Sequence, residues 1–348
     1  MAKKKKKRSG LSKIIKWAVA MALLVVVYGV YILFAPNFSP KADEKSFLCI
    51  PDNSTFEDVA LLLQQKAEVH NMVSFRQVAS VLHYGVKIRS GRYEIKSGMN
   101  NFNLIRALRS GRQTPVKLTF NNIRTKEQLA ARLSTQLMAD SVSILKLMND
   151  TAFLSRYGLT PNTSISLFIP NTYEVFWNLN AEQLFERMNK EYSNFWNDER
   201  KAKAAAIPMT PVQVSTLASI VEEETNNRTD RPKVAGLYIN RLKKDMPLQA
   251  DPTLKFAVGD FSLKRITIKQ ILQISSYNTY RNHGLPPGPI RVSSESGIDA
   301  VLNYAHHNYI YMCASETLNG EHKFAADWAT HQANAKKYQQ KLNDLNIH

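Results

Sequence analysis

Acidic side chains are in short supply in this chain, and cysteines more so. The 348 residues hold 29 Asp and Glu against 46 Lys and Arg, and only two Cys. No Cys or His cluster has zinc-ligand spacing, so a zinc centre is not a reading of this sequence, and no metal or cofactor is expected. No Cys closely follows the N-terminal apolar segment, which speaks against a lipoprotein. Cys49 and Cys313 each sit in an apolar run, FLCIP and YIYMCAS, and read as two separate buried thiols. Residues 1–16 contain no acid, and residues 17–35 contain no charge of either sign.

What is present at the N-terminus explains much of the charge. The chain carries net charge +17, and residues 1–16 contain eight Lys or Arg. Without them 38 basic side chains face 29 acidic ones, a residual +9. A basic protein invites a nucleic-acid reading. Here almost half the excess lies in one tail beside an apolar segment, so membrane topology explains it and no nucleic-acid partner is expected. The segment Trp17–Ala35 is long enough to cross a bilayer core of about 30 Å at about 1.5 Å per residue. Lysines precede it, which leaves the N-terminus in the cytoplasm and sends everything after Pro36 outside. The expected location is the inner (cytoplasmic) membrane, single-pass. A cleaved signal peptide would have a shorter apolar core and small residues at the cleavage site, and ILFAPNF fits that poorly.

The 44% apolar content is enough to bury a sizeable core, and length alone suggests about two folded domains. Residues 1–16 read as a basic cytoplasmic tail, 17–35 as a transmembrane helix and 36–46 as a polar tether. A strand, a turn and an amphipathic helix then recur from Phe47, Gly91 and Val116. Ser54 and Thr125 are candidate helix N-caps. These units make residues 47–135 a small α+β region resembling the LysM class of glycan-binding module. Residues 136–348 read as a mixed α+β domain, so the fold class expected for the body is α+β.

Within it, residues 140–200 are mostly helical, interrupted by SLFIPNTYEVFW. Thr210, Pro211 and Gln213 form a capping box with proline at the first helical position. A second helix starts near Asp230 and runs to about Lys244. Asp251 is a candidate N-cap before Pro252, and Thr267 repeats the capping-box pattern. The loop GLPPGPI, 284–290, can be neither helix nor central strand. YIYMCAS and EHKFAA read as a hairpin.

The helix from 211 ends on three glutamates. At about 100° per residue, Val214, Leu217, Ala218, Val221 and Thr225 form one stripe. Glu223 falls nearly opposite and is expected in water. Glu222 and Glu224 fall on the two shoulders, where a carboxylate is partly desolvated and its pKa rises, as a general acid needs. They lie roughly 200° apart on a regular helix, so they cannot form a close catalytic pair. Position alone does not choose between them. The bland alternative is that these acids pair with Arg228, Arg231 or Arg241.

ASIVEEET, VAGLYINRLKKDMPLQADPTLKFAVG, SYNTYRNHGLPPGPI and KFAADWATHQANAKKY occur in this order. They resemble the signature blocks of the YceG-like family of endolytic murein transglycosylases. The likeness covers essentially the whole chain and is strongest from Leu217 to Ile290. It implies cleavage of the MurNAc–GlcNAc β-1,4 bond inside peptidoglycan glycan strands without water, leaving 1,6-anhydroMurNAc ends. It implies Glu222 as the catalytic residue, acting as general acid and then base. It also implies Glu224, Gln249, Asp251, Tyr277, Asn278, Thr279 and Tyr280 as substrate-binding residues. His331 matches a family position, and its structural reading is equally open. The implied partners are glycan strands, the membrane and peptidoglycan synthases, and the implied role is to terminate nascent strands. The family's block E-G-x-x-F-P-D-T-Y reads SISLFIPNTYEV here, with Asn171 in place of Asp and Ser166 near the expected Glu. Two rival readings remain: a membrane-anchored glycan-binding scaffold for synthases, and an ordinary hydrolase with a second carboxylate.

Overall fold

The computed structural model describes residues 7–41, 46–263 and 265–345. Residues 1–6 of the basic tail and 42–45 of the expected tether lie outside them. The chain divides into two compact units, one of residues up to 117 with 174–179, the other of 118–173 with the remainder.

The first unit begins with the helix Lys7–Phe34, whose apolar stretch Ser12–Phe34 is long enough to span a membrane. The chain does not then enter a tether. Pro36–Pro40 is a strand, paired antiparallel with Ala67–Val69 on one side and with Met99–Asn100 on the other. Phe38 is wholly buried in the unit's core, and the buried Asn37 bonds Asn71 and Asn101. The polar look of NFSPK misled because its apolar residue and its amide both point inward. A second antiparallel pair joins Ser46–Ile50 to Gly91–Ile95. The latter strand buries Gly91, Tyr93 and Ile95 in strict alternation, the period-2 pattern of a half-buried sheet. Helices Phe56–Lys66, Met72–Val81 and Asn101–Ser110 cover the sheets. The first is capped by Thr55, one residue past the expected Ser54, through a reciprocal box with Asp58. The third expected repeat counts with the second unit, since the division falls between Lys117 and Leu118.

The second unit is built around the helix Pro211–Glu224. Thr210 and Gln213 close its capping box as expected. It is not amphipathic: every residue from Val214 to Glu222 is buried. Ser215, Thr216 and Ser219 are small enough for neighbours to approach closely, and each hydroxyl bonds a carbonyl of its own helix. Arg231–Lys243, Asp251–Val258 and Glu295–Leu302 pack around this helix. Gly236 and Gly297 mark close approaches on two of these helices: a Cβ there would fall onto the Ala305 carbonyl oxygen and onto Glu222 Cδ. Residues 141–206 are mostly helical, and the interrupting SLFIPNTYEV forms a buried 3-10 turn, Ser164–Leu167, and the strand Thr172–Val175. Asn171 donates to Glu295 at 3.0 Å. The hairpin Tyr311–Ala314 with His322–Ala325 forms as expected, and Trp328–Asp344 closes the fold. Cys49 and Cys313 are free thiols.

Candidate active site

The three glutamates meet three different environments. Glu222 is 4% exposed and has both oxygens engaged. Ser294 donates its backbone N–H to Oε2 at 2.9 Å and its hydroxyl to Oε1 at 2.5 Å, and Arg231 pairs with Oε1 at 3.2 Å. Ser294 is the N-cap of Glu295–Leu302, so Glu222 ties the central helix to the start of another, where an anion is favoured. Gly297 closes its remaining side.

Glu223 is not in water. Arg124 grips it through two nitrogens, the closer at 2.9 Å, and Arg291 reaches it at 2.9 Å. The expectation of a solvated charge fails because the helix is enclosed on all sides, so the position opposite the apolar stripe also faces protein.

Glu224 is the last residue of the helix. Its carboxyl is raised from 4.5 to about 7, first by burial and then by the charge of Asp251, against the opposing pull of a hydrogen bond from Tyr238 and the charges of Lys255 and Arg241. The C-terminal end of a helix also disfavours a negative charge. Among the described residues its Oε2 is buried without a hydrogen-bond partner. Glu224, Thr225 and Asn226 line a cavity of about 370 Å³ with Ser315, Glu321 and Tyr338.

Around Glu224 the second helix supplies Tyr238 and Arg241, three residues apart on one face. Arg241 is buried; its Nε donates to the Ile310 carbonyl at 2.7 Å, and its Nη1 to the Leu248 carbonyl at 2.9 Å and to Gln249 Oε1 at 3.2 Å. Gln249 itself sits at φ +50°, a strained value for a side chain with a Cβ, held by its N–H to the Thr279 carbonyl. Asp251 is the first helical residue and not the N-cap, which is Ala250. Its carboxylate is free to face away from the backbone and accepts the Tyr280 hydroxyl at 2.5 Å. Burial and this bond raise the Tyr280 hydroxyl above its ordinary value.

The YNTY block therefore divides. Tyr280 reaches Asp251, and Tyr277 packs its ring 4.8 Å from Phe256. Asn278 and Thr279 are buried and do not line a groove. Asn278 donates to the Ile271 and Gln273 carbonyls at 2.9 and 2.7 Å, and Thr279 bonds Thr253 at 2.8 Å. Their polar groups serve the backbone and the neighbouring helix. His331 stacks on Tyr311, and its pKa is lowered by burial and by the charge of Arg241. Leu285, Pro286 and Pro287 line a separate, largely apolar cavity of about 540 Å³. Tyr238 was not expected. Its signal was the spacing to Arg241 inside an otherwise apolar helix, GLYINRL.

Residues 48–337 match the YceG-like family. The chain is 27% identical over 312 residues to the endolytic murein transglycosylase of Bacillus subtilis, covering 85% of each protein. It is 26% identical over 331 residues to the protein of the same name from Streptococcus pneumoniae, covering 84% of this chain and 58% of that one. A crystal structure of a yceG-like protein from Listeria monocytogenes superposes with a TM-score of 0.55 at 28% identity, over 84% of this chain and 99% of that one. With the match spanning both units, the chain belongs to the YceG-like family.

Proposed function

We propose that this chain is a membrane-anchored lytic transglycosylase that cuts the MurNAc–GlcNAc β-1,4 bond within glycan strands, and that Glu224, not Glu222, is its acid. The observation that carries the reading is a carboxyl raised to about 7, chiefly by burial, with one buried oxygen unpartnered among the described residues, on a residue that also lines a cavity. Such a group keeps a substantial protonated fraction at neutral pH and can give that proton to a leaving oxygen. The family names of the relatives supply the substrate class.

The chemistry needs one carboxyl. Glu224 protonates the glycosidic oxygen as the C1–O bond breaks. The resulting carboxylate then takes the proton of the muramyl C6 hydroxyl as that oxygen bonds to C1. The products are a free GlcNAc hydroxyl and an anhydro ring, and Glu224 ends protonated as it began. Asp251, its Oδ1 held by Tyr280, supplies the fixed negative charge that keeps the proton on Glu224 and favours positive charge at the sugar carbon. Tyr238 orients the acid. Gln249 and Tyr277 contact the strand. Glu222 serves the fold.

The apolar helix Ser12–Phe34 fits a single-pass anchor. We place the body outside the inner membrane, where cutting would end nascent strands, with the first unit holding glycan as a LysM-like module.

A second reading has one observation in its favour. Asp251 lies close enough to raise Glu224, and a pair of carboxylates is the machinery of hydrolysis. The products decide. The full chain in detergent, given purified glycan strands, is expected to yield fragments one water lighter than hydrolysis products. Free reducing ends would give the reaction to a carboxylate pair. Strands bound but uncut would favour the scaffold.

A further inference from the structure

The anchor helix is bolted to the first unit. Asn101 donates to the Ile32 carbonyl at 2.7 Å, one of the last four carbonyls that the helix itself leaves unpaired. Ile32 and Leu33 pack on the unit's core, Phe34 meets Phe102 at 5.5 Å, and the Tyr28 hydroxyl donates to Gln77 at 3.0 Å.

This docking leaves too little helix free to cross a bilayer. From Trp17 to Val27, before the first docked residue, the helix rises about 16 Å at about 1.5 Å per residue. The apolar core to be crossed is about 30 Å. Snorkelling by Lys13 and Lys16 adds no more than about one turn. The docked turns must therefore supply the rest while still in apolar surroundings. Their outer face agrees: Val30, Tyr31 and Phe34 are all more than half exposed. Two tyrosines near the end of the span also suit the bilayer interface.

The element beside them carries a matching surface. Gln77, which receives Tyr28, lies on the helix Met72–Val81. Val73 and Val81, four residues to either side, share its face. They are 64% and 73% exposed. We propose that this helix lies in the headgroup layer of the bilayer, with Val73 and Val81 turned into lipid, so that the first unit is part-sunk and not suspended above the membrane. The proposal rests on Ser12–Phe34 spanning the membrane. The occupant is lipid because the two exposed valines flank Gln77, the residue that the span's own Tyr28 bonds at 3.0 Å.

The test uses the full chain with Cys49 and Cys313 replaced by Ser. A single Cys is placed at Val73, Val81 or the turn residue Asp52, which is exposed. Each is nitroxide-labelled and reconstituted in phosphatidylglycerol-containing vesicles. Relaxation is read with oxygen, which concentrates in lipid, and with a water-soluble nickel chelate. Labels at 73 and 81 are expected to show an oxygen-to-nickel ratio several-fold above that at 52. Ratios equal to that at 52 would overturn the proposal. A label shielded from both reagents would also overturn it, in favour of a second copy covering the face. Carbonate washing of the same vesicles reports the span alone. A retained chain with wet labels sinks only the proposal, whereas a released chain removes the span and the proposal together.

Discussion

At the residue scale, the proton on Glu224 is held by what surrounds it: burial, the charge of Asp251 and the end of a helix. The folded carboxyl titrates near 7 and the unfolded one near 4.5. The folded state therefore binds this proton more tightly. Its contribution is complete below about pH 4.5 and is lost as pH rises through 7, which corresponds to on the order of 3 kcal/mol. Urea unfolding from pH 4 to 8 is expected to show wild type losing stability relative to Glu224→Gln across that interval, and parallel curves would contradict the burial account. Cleavage should also decline above about pH 7, as the acid form is depleted. The sequence made the glutamates visible but not their roles. A helical wheel ranks positions by distance from one buried stripe, and this helix is buried all round. Which carboxylate meets Arg231 and Ser294, and which meets Tyr238 and Asp251, depends on chain segments up to 72 residues away. The likeness to the family pointed to Glu222; the packing points to Glu224.

At the scale of the element, short-range codes read well. Thr210, Pro211 and Gln213 start the helix where expected because capping chemistry is complete within four residues. Removing that hydroxyl in Thr210→Ala should cost about 1 kcal/mol by thermal unfolding, with cleavage per folded molecule unchanged. Medium-range contacts read less well. The resemblance implies YNTY as substrate-binding, yet Asn278 and Thr279 spend their polar groups on backbone and on Thr253. The close crossing at Gly297 was invisible without the partner helix. Gly297→Ala places a methyl against a carboxylate already fixed by Ser294 and Arg231, and is expected to destabilise the protein by about 1–3 kcal/mol. A stability within experimental error of wild type would mean that Glu222 is free to move, contrary to its three bonds.

For the molecule as a whole, the N-terminal apolar helix and the first unit are one structure. A chain beginning at residue 41 loses the central strand of a sheet and the buried Asn37, so calorimetry should find the first unit unfolded or melting well below that of a chain beginning at Tyr28. Equal melting would make Pro36–Pro40 the tether its composition suggests. The central claim, that one raised carboxyl carries the cleavage and its neighbour two residues back carries the fold, is tested most directly by comparing Glu222→Gln with Glu224→Gln. Both full-length variants would be given purified glycan strands, with rate expressed per folded molecule. Glu224→Gln is expected to lose about 10²–10⁴-fold, the usual contribution of a general acid, at a melting temperature no lower than wild type. Glu222→Gln is expected to melt lower and still cut. The reverse pattern, with Glu222→Gln folded but inactive and Glu224→Gln active, would contradict the account.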